Sequence, residues 1–274
     1  MSLNGYQKIT LAFSAGVFAL WLYIFFAGSR DGSINYLFSL LFGLTPLFGG
    51  SIALYRSKIW GGTKSAVGKA TFFIGLGIAF WGVGEAIWSF YNFVLNVPAP
   101  YPSFADFGFA PSIFFYGLGA LYLSRATGAK YGLRSSVARA FAFIAPFVIL
   151  AFSYYLLVTV ARGGVLIPEG DTDLKAIFDI VYPVGDFVGL AIAVIVSGLS
   201  FKYLGGRYLI DIVAILAGLG VMFIADTIFS YTTTVGTYYN ANAGDLVLAT
   251  GMFLLTFGVL GFCTLKSGAK KTYE

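Results

Sequence analysis

The sequence predicts an all-α integral membrane protein of about eight transmembrane helices. Three observations carry this expectation. Only 11% of the 274 residues are charged and 58% are hydrophobic, whereas soluble domains are roughly 25% charged. Eight apolar stretches approach or exceed the roughly 20 residues that a helix needs to cross a bilayer core. The basic residues gather in every second connection, as the positive-inside rule requires of a chain that crosses repeatedly. Strands crossing a membrane would instead give alternating segments of about ten residues.

The spans follow in order. Ile9–Gly28 comes after Lys8; its apolar run is too long and its basic start too weak for a cleaved signal peptide. Ile34–Tyr55 ends on Arg56 and Lys58. Thr71–Leu95 is entered from Lys64 and Lys69. Phe104–Ser124 ends on Arg125, and Lys130, Arg134 and Arg139 lead into Ala140–Ala161. Ala176–Phe201 is followed by Lys202 and Arg207, then Tyr208–Val235. Gly244–Leu265 closes the series before Lys266, Lys270 and Lys271. The other side carries only Arg30, Arg162 and Lys175, beside Asp31, Glu169, Asp171 and Asp173. Both termini are therefore expected in the cytoplasm. Residues 1–274 read as one polytopic domain of the cell membrane, with 266–274 a short basic tail.

Several functions are set aside. There is no His and a single Cys, Cys263, so an intrachain disulfide, a Cys-based metal site, His-ligated haem and the usual catalytic zinc sites are not expected. No cofactor is expected. The net charge of +5 is spread over short loops with no stripe to grip nucleic acid. No span contains a Lys for a retinal Schiff base. Serine hydrolysis lacks its His and its nucleophile elbow, and no phosphate-binding Walker loop is present. Asp186 and Asp226, on spans six and seven, would suit a shared-proton dyad. Their settings, Pro183-Val184-Gly185-Asp186 and Ala225-Asp226, lack the motifs of intramembrane aspartyl proteases. An enzyme is not expected.

What stands out is acid without base. Glu85, Asp106, Asp179, Asp186, Asp226 and Asp245 lie inside apolar stretches or at their mouths, and no Lys, Arg or His in those stretches neutralises them. Charge within a membrane is costly, faces the protein interior and marks function by default. At 1.5 Å per residue Glu85 lies about 24 Å beyond Lys69 and Asp226 about 28 Å beyond Arg207, both in the outer half. Trp81, Glu85, Trp88 and Asn92 share one face of span three. Met222, Asp226, Phe229 and Thr233 form the counterpart on span seven, and Asp179, Tyr182 and Asp186 share a face of span six. With Tyr91, Tyr101, Tyr231, Tyr238 and Tyr239, these stripes predict an outward-facing pocket with acidic and aromatic walls. Its candidate ligand-binding residues are Glu85, Trp88, Asp186, Asp226, Trp81, Tyr182, Asp106 and Asp245. Aromatic faces with carboxylates favour an organic cation; carboxylates with carbonyls and hydroxyls would suit a hard metal ion.

Plainer roles compete. Asp106 and Asp245 sit where helix N-caps belong. Trp88 and the tyrosines suit an interfacial belt. Buried acids can serve as neutral hydrogen-bonding glue between helices. Asp211, near a helix start, is placed to pair with Arg207 four residues earlier.

An internal repeat is visible. Glu85-Ala86-Ile87-Trp88-Ser89-Phe90 aligns with Asp226-Thr227-Ile228-Phe229-Ser230-Tyr231. Each is followed by a loop and then a small residue and Asp: Ala105-Asp106-Phe107 and Gly244-Asp245-Leu246, with Gly185-Asp186-Phe187 similar. Four spans separate the two copies, so the repeat is parallel and suggests a 4+4 duplication with halves 1–135 and 136–265. Sites in such folds lie at the repeat interface.

Trp81, the run Gly84-Glu85-Ala86-Ile87-Trp88, Tyr91, and the run Pro100-Tyr101-Pro102-Ser103-Phe104-Ala105-Asp106 resemble polytopic membrane sensory modules. Such modules occur ahead of bacterial diguanylate cyclase or histidine kinase domains, and free-standing in archaea. Tyr182-Pro183-Val184-Gly185-Asp186, Ala225-Asp226 and Gly244-Asp245 resemble their later spans. The resemblance covers spans three to eight. It implies a prokaryotic sensory or ligand-binding module, and because no output domain is evident here, signalling through a protein partner is expected. The alternatives are a proton- or cation-coupled secondary transporter and a structural subunit of a larger membrane complex. In each case the first partner is the lipid bilayer.

Overall fold

The computed structural model describes residues 3–30, 32–127, 136–165 and 208–265, and the isolated positions 174, 175, 177, 178, 182, 185, 187, 188 and 191. Among them there is no strand. The α-helices are α1 (Gly5–Ala27), α2 (Ser33–Arg56), α3 (Ala66–Phe93), α4 (Asp106–Ala126), α5 (Ser136–Tyr154), α6 (Leu209–Thr234) and α7 (Ala243–Gly261). Six of them, all but α5, are long and apolar enough to cross a membrane. The chain is thus a multi-pass membrane protein. A shorter apolar helix, Pro146–Val160, joins the end of α5 to a π-helical segment, Tyr155–Val160. Most of the expected sixth span and the tail from 266 lie outside the described residues.

Local chemistry sets several helix ends. Asn4 and Gln7 cap α1 reciprocally, and Gly28 ends it at φ 67°, a left-handed conformation that glycine adopts without strain. The Ser65 side chain accepts from the Gly68 amide at the start of α3, at 2.9 Å. Pro46, Pro111 and Pro146 lie inside helices, which membrane helices tolerate because neighbours satisfy the freed carbonyls.

Packing rests on close approach, because lipid tails give helices no hydrophobic reason to associate. A Cβ added to Gly77 of α3 would come within 2.7 Å of the Tyr116 ring of α4, and one added to Gly119 within 2.9 Å of the Ile74 backbone nitrogen. The α6–α7 pair does the same: Gly218 meets Leu255 at 2.8 Å and Gly258 meets Ile215 at 2.7 Å. Helix α7 also contacts α1, α2 and α3, which places it among the other helices.

Long-range hydrogen bonds define two ends. At one, Asn4 donates to the Leu260 carbonyl (2.8 Å), Trp60 to the Phe262 carbonyl (2.7 Å) and Arg56 to the Cys263 carbonyl (3.0 Å). Lys69 and Arg125 flank the same Tyr122 ring at 5.0 and 5.2 Å. At the other end the 235–242 connection is the clamp. Asn35 donates to the Asn240 carbonyl (2.8 Å), Trp88 to Asn240 Oδ1 (2.9 Å) and Trp21 to the Asn242 carbonyl (3.1 Å). The start of α1 and the end of α7 therefore share one end, opposite this clamp.

Candidate functional site

At the clamped end, residues of α2, α3, α4, α6 and α7 line a cavity. The space open to the centre of a water-sized molecule is about 80 Å3, several times what one water needs. Of the eight candidate residues, Trp81, Glu85, Trp88, Asp106, Tyr182, Asp226 and Asp245 all line it. Asp186 lies outside the described residues, as does Asp179. Among the described residues, the lining holds four carboxyl groups and no Lys or Arg.

Helix geometry explains the convergence. Trp81, Glu85 and Trp88 recur at near-helical spacing and turn one face of α3 to the cavity, while Met222, Asp226, Phe229 and Thr233 do so on α6. Asp106 and Asp245 enter at the first turns of α4 and α7, which run away from the clamped end.

Glu85 is only 5% exposed. No described residue donates a hydrogen bond to its carboxyl group, which has the Asp245 charge as a neighbour. Gly43 of α2 leaves room for its stem: a Cβ there would collide with Glu85 Cγ.

Asp106 and Asp245 are not N-caps. The cap positions belong to Ala105 and Asn242, and the Asn242 side chain accepts from the Asp245 amide at 3.0 Å. The two acids instead reach back to brace the preceding loops. Asp106 Oδ2 accepts from the Ser103 amide and Asp245 Oδ2 from the Ala241 amide, each at 2.6 Å. Each also meets a tyrosine: Tyr182 donates to Asp106 Oδ1, and Tyr238 lies 3.3 Å from Asp245 Oδ1. Tyr238 sits on the connection between α6 and α7. Burial first, then the Asp245 and Glu85 charges, push its phenol well above the ordinary range. It therefore remains a hydrogen-bond donor at neutral pH.

The aromatic walls are built into the protein. Trp88 is 8% exposed and bonded to Asn240, so it is a packed wall rather than part of an interfacial belt. It meets Phe229 and Tyr238 edge to face at 6.1 and 6.0 Å. Phe42, Trp81 and Phe109 continue the wall, with successive centroids 5.4 and 5.3 Å apart. Of the tyrosines expected here, Tyr101 and Tyr238 line the cavity; Tyr91, Tyr231 and Tyr239 do not.

The sequence did not single out Ser39, Ser112, Ser230 or Asn240. Ser39 shares Asn240 Oδ1 with Trp88, at 3.2 Å. Nothing periodic marks Asn240, a loop residue whose role depends on the helices that converge on it. Among the described residues, no three acids or other metal-binding side chains are grouped to hold a metal ion. Comparison with protein-family models, with curated proteins and with solved structures finds no match.

Proposed function

We propose that the chain is a sensory or ligand-binding module of the cell membrane that takes a small cation into an outward-facing acidic-aromatic cavity. The observation that carries this reading is the lining, which among the described residues has four carboxyl groups, no base, and a buried Glu85 to which none of them donates. A carboxylate buried in a medium of low dielectric, as Glu85 is, is held only at high cost, which a bound cation offsets. Aromatic faces add cation–π attraction. Among the described residues no three acids are grouped for a metal ion, which favours an organic cation. The resemblance of the 81–106 and 182–245 segments to membrane sensory modules favours sensing, with a protein partner as the output.

The full topology belongs to the same proposal. Eight spans arise from the six long apolar helices, α5 and the apolar stretch 176–201. Cytoplasmic termini are supported by Arg56, Lys69 and Arg125 at the end where Asn4 meets Leu260. A parallel duplication is supported by two matching contacts. Gly77–Tyr116 and Gly119–Ile74 in α3–α4 correspond to Gly218–Leu255 and Gly258–Ile215 in α6–α7, in the register that aligns Glu85 with Asp226 and Asp106 with Asp245.

One observation favours a secondary transporter as the second reading. Polar groups continue into the opposite half, where Gln7, Thr10, Ser14, Asp211 and Thr256 are buried.

The test is thermal stability of the detergent-purified protein at fixed ionic strength. Alkylammonium, guanidinium, Mg2+ and Ca2+ salts are compared on the wild type and Glu85→Gln. An organic cation should raise the wild-type Tm by several degrees and the variant's by much less. If no cation stabilises either protein, the binding reading fails and a structural role for the acids replaces it. Cation flux into proteoliposomes would favour the transporter.

A further inference from the structure

Three buried acids of the cavity differ in what they already hold. Asp245 accepts from the Ala241 amide at 2.6 Å and has the Tyr238 hydroxyl at 3.3 Å. Asp106 accepts from the Ser103 amide at 2.6 Å and from the Tyr182 hydroxyl. Glu85 is buried like these two and lines the same cavity, yet no described residue donates to it. An acceptor left unmet in a buried site is costly, and a counter-charge alone leaves its lone pairs bare.

The lining also changes with depth. Helices α3 and α6 run toward the clamped end, α4 and α7 away from it. Trp81 and Met222 therefore lie a turn further from the clamp than Glu85 and Asp226, and Phe109, Tyr116 and Leu248 lie beyond Asp106 and Asp245. Among the described residues this deeper part has no charged side chain. Its hydroxyls are engaged within the protein: Ser112 donates to the Phe109 carbonyl at 2.6 Å, and the Tyr116 hydroxyl meets Met252 Sδ at 3.7 Å. The cavity thus has an acidic end at the clamp and an apolar floor. At the acidic end Trp88, Phe229 and Tyr238 pack edge to face on one another, with centroids 6.1, 6.0 and 5.0 Å apart. That contact leaves no space among the three rings for a cation.

We infer that the ligand is a small primary amine with an apolar tail, its ammonium donating N–H bonds to Glu85 and its tail lying on the floor formed by Trp81, Met222 and Leu248. The inference rests on the cation-site reading above and narrows it to a ligand class. A quaternary ammonium brings charge without donors, and an alcohol brings a donor without charge; an ammonium with N–H groups brings both. The quaternary ion would also need an open aromatic cage, which the three packed rings do not form. A metal ion needs several oxygen ligands around one point, and no three acids among the described residues are so grouped. The floor adds apolar burial that an ammonium without a tail leaves unused. With about 80 Å3 open to the centre of a water-sized molecule, the tail is short.

The test is titration calorimetry on the full chain in detergent, at neutral pH and fixed ionic strength. tert-Butylammonium and tetramethylammonium share one charge and nearly one tetrahedral shape, but only the first has N–H groups. It should bind at least ten times more tightly, about 1.4 kcal/mol, and Glu85→Gln should remove most of that difference. n-Butylammonium should bind at least ten times more tightly than methylammonium, through the floor. Equal affinities within either pair, or a preference for tetramethylammonium, would overturn the inference and leave the cation site standing. A difference that persists undiminished in Glu85→Gln would overturn the role of Glu85. Binding of no cation would overturn the inference and the cation site together. The wild-type comparisons need no variant to fold.

Discussion

Gly43 of α2 lies directly against the side chain of Glu85 on α3, with no room for a Cβ between them. Gly43→Ala should displace the Glu85 stem, a flexible side chain, and cost about 1–3 kcal/mol through overpacking. Cation stabilisation should drop several-fold while helicity by circular dichroism stays at the wild-type level. Wild-type cation response in Gly43→Ala would show that Gly43 does not position Glu85. Gly50→Ala is the contrast: its Cβ would meet the Ala79 backbone nitrogen at 2.5 Å, and backbone cannot swing aside. It should lower Tm more than Gly43→Ala.

Tyr238 gives a pH signature. Its phenol is raised in the folded protein from an ordinary 10.0, so unfolding favours ionisation. The stability tied to its protonated form is complete below pH 10 and is lost as pH rises beyond that. Other tyrosines titrate in the same range, so the informative quantity is a difference. Tyr238→Phe has no phenol to ionise, and its Tm should fall less steeply than the wild-type Tm between pH 9.5 and 11. Parallel curves would contradict the assigned environment.

Two buried polar groups in the half away from the cavity should respond in opposite ways. Gln7 donates to Asp211 Oδ1 at 2.8 Å and to the Phe257 carbonyl at 3.2 Å. Gln7→Leu removes both bonds, and with them the one its Oε1 accepts from the Asn4 amide, and should destabilise by about 1–3 kcal/mol. Thr256 Oγ1 is buried with no hydrogen-bond partner among the described residues. Thr256→Val keeps the shape and removes an unsatisfied hydroxyl, so Tm should stay level or rise. Thermal unfolding of both variants in one detergent checks the pair. A fall in Thr256→Val would show that the hydroxyl has a partner in the membrane.

The proposed topology can be probed with single cysteines in a Cys263→Ser background. A membrane-impermeant thiol reagent added to intact cells should label Cys placed at Val97 or Gly236, in connections at the cavity end. It should not label Cys at Lys64. Labelling at Lys64 from outside would overturn cytoplasmic termini.

Much of the helix pattern was legible because crossing a bilayer demands a length and a composition that the chain displays openly. The first four and last two expected spans match α1–α4, α6 and α7 to within a few residues. The acids were legible for a related reason: in an apolar stretch a carboxylate has no neutral explanation as solvated surface. Trp88 was harder, since an aromatic near a helix end suits a membrane interface as well as a cavity wall. Asp211 was assigned to Arg207, which lies outside the described residues. Among the described residues, Gln7, far away in sequence, donates to it.

By itself the sequence determined that this chain crosses a membrane repeatedly, marked the six long apolar helices able to do so, and showed which apolar stretches carry acids with no Lys, Arg or His in them. Tertiary structure decided which faces meet. Lipid and protein interior are both apolar, so hydrophobic periodicity, which separates core from water in a soluble protein, cannot separate core from lipid here. The choice falls to close backbone approach at Gly77, Gly84, Gly218 and Gly258, and to polar bonds such as Trp88 to Asn240. Those contacts bring acids from α3, α4, α6 and α7 to the wall of one cavity, a convergence that no local pattern contains.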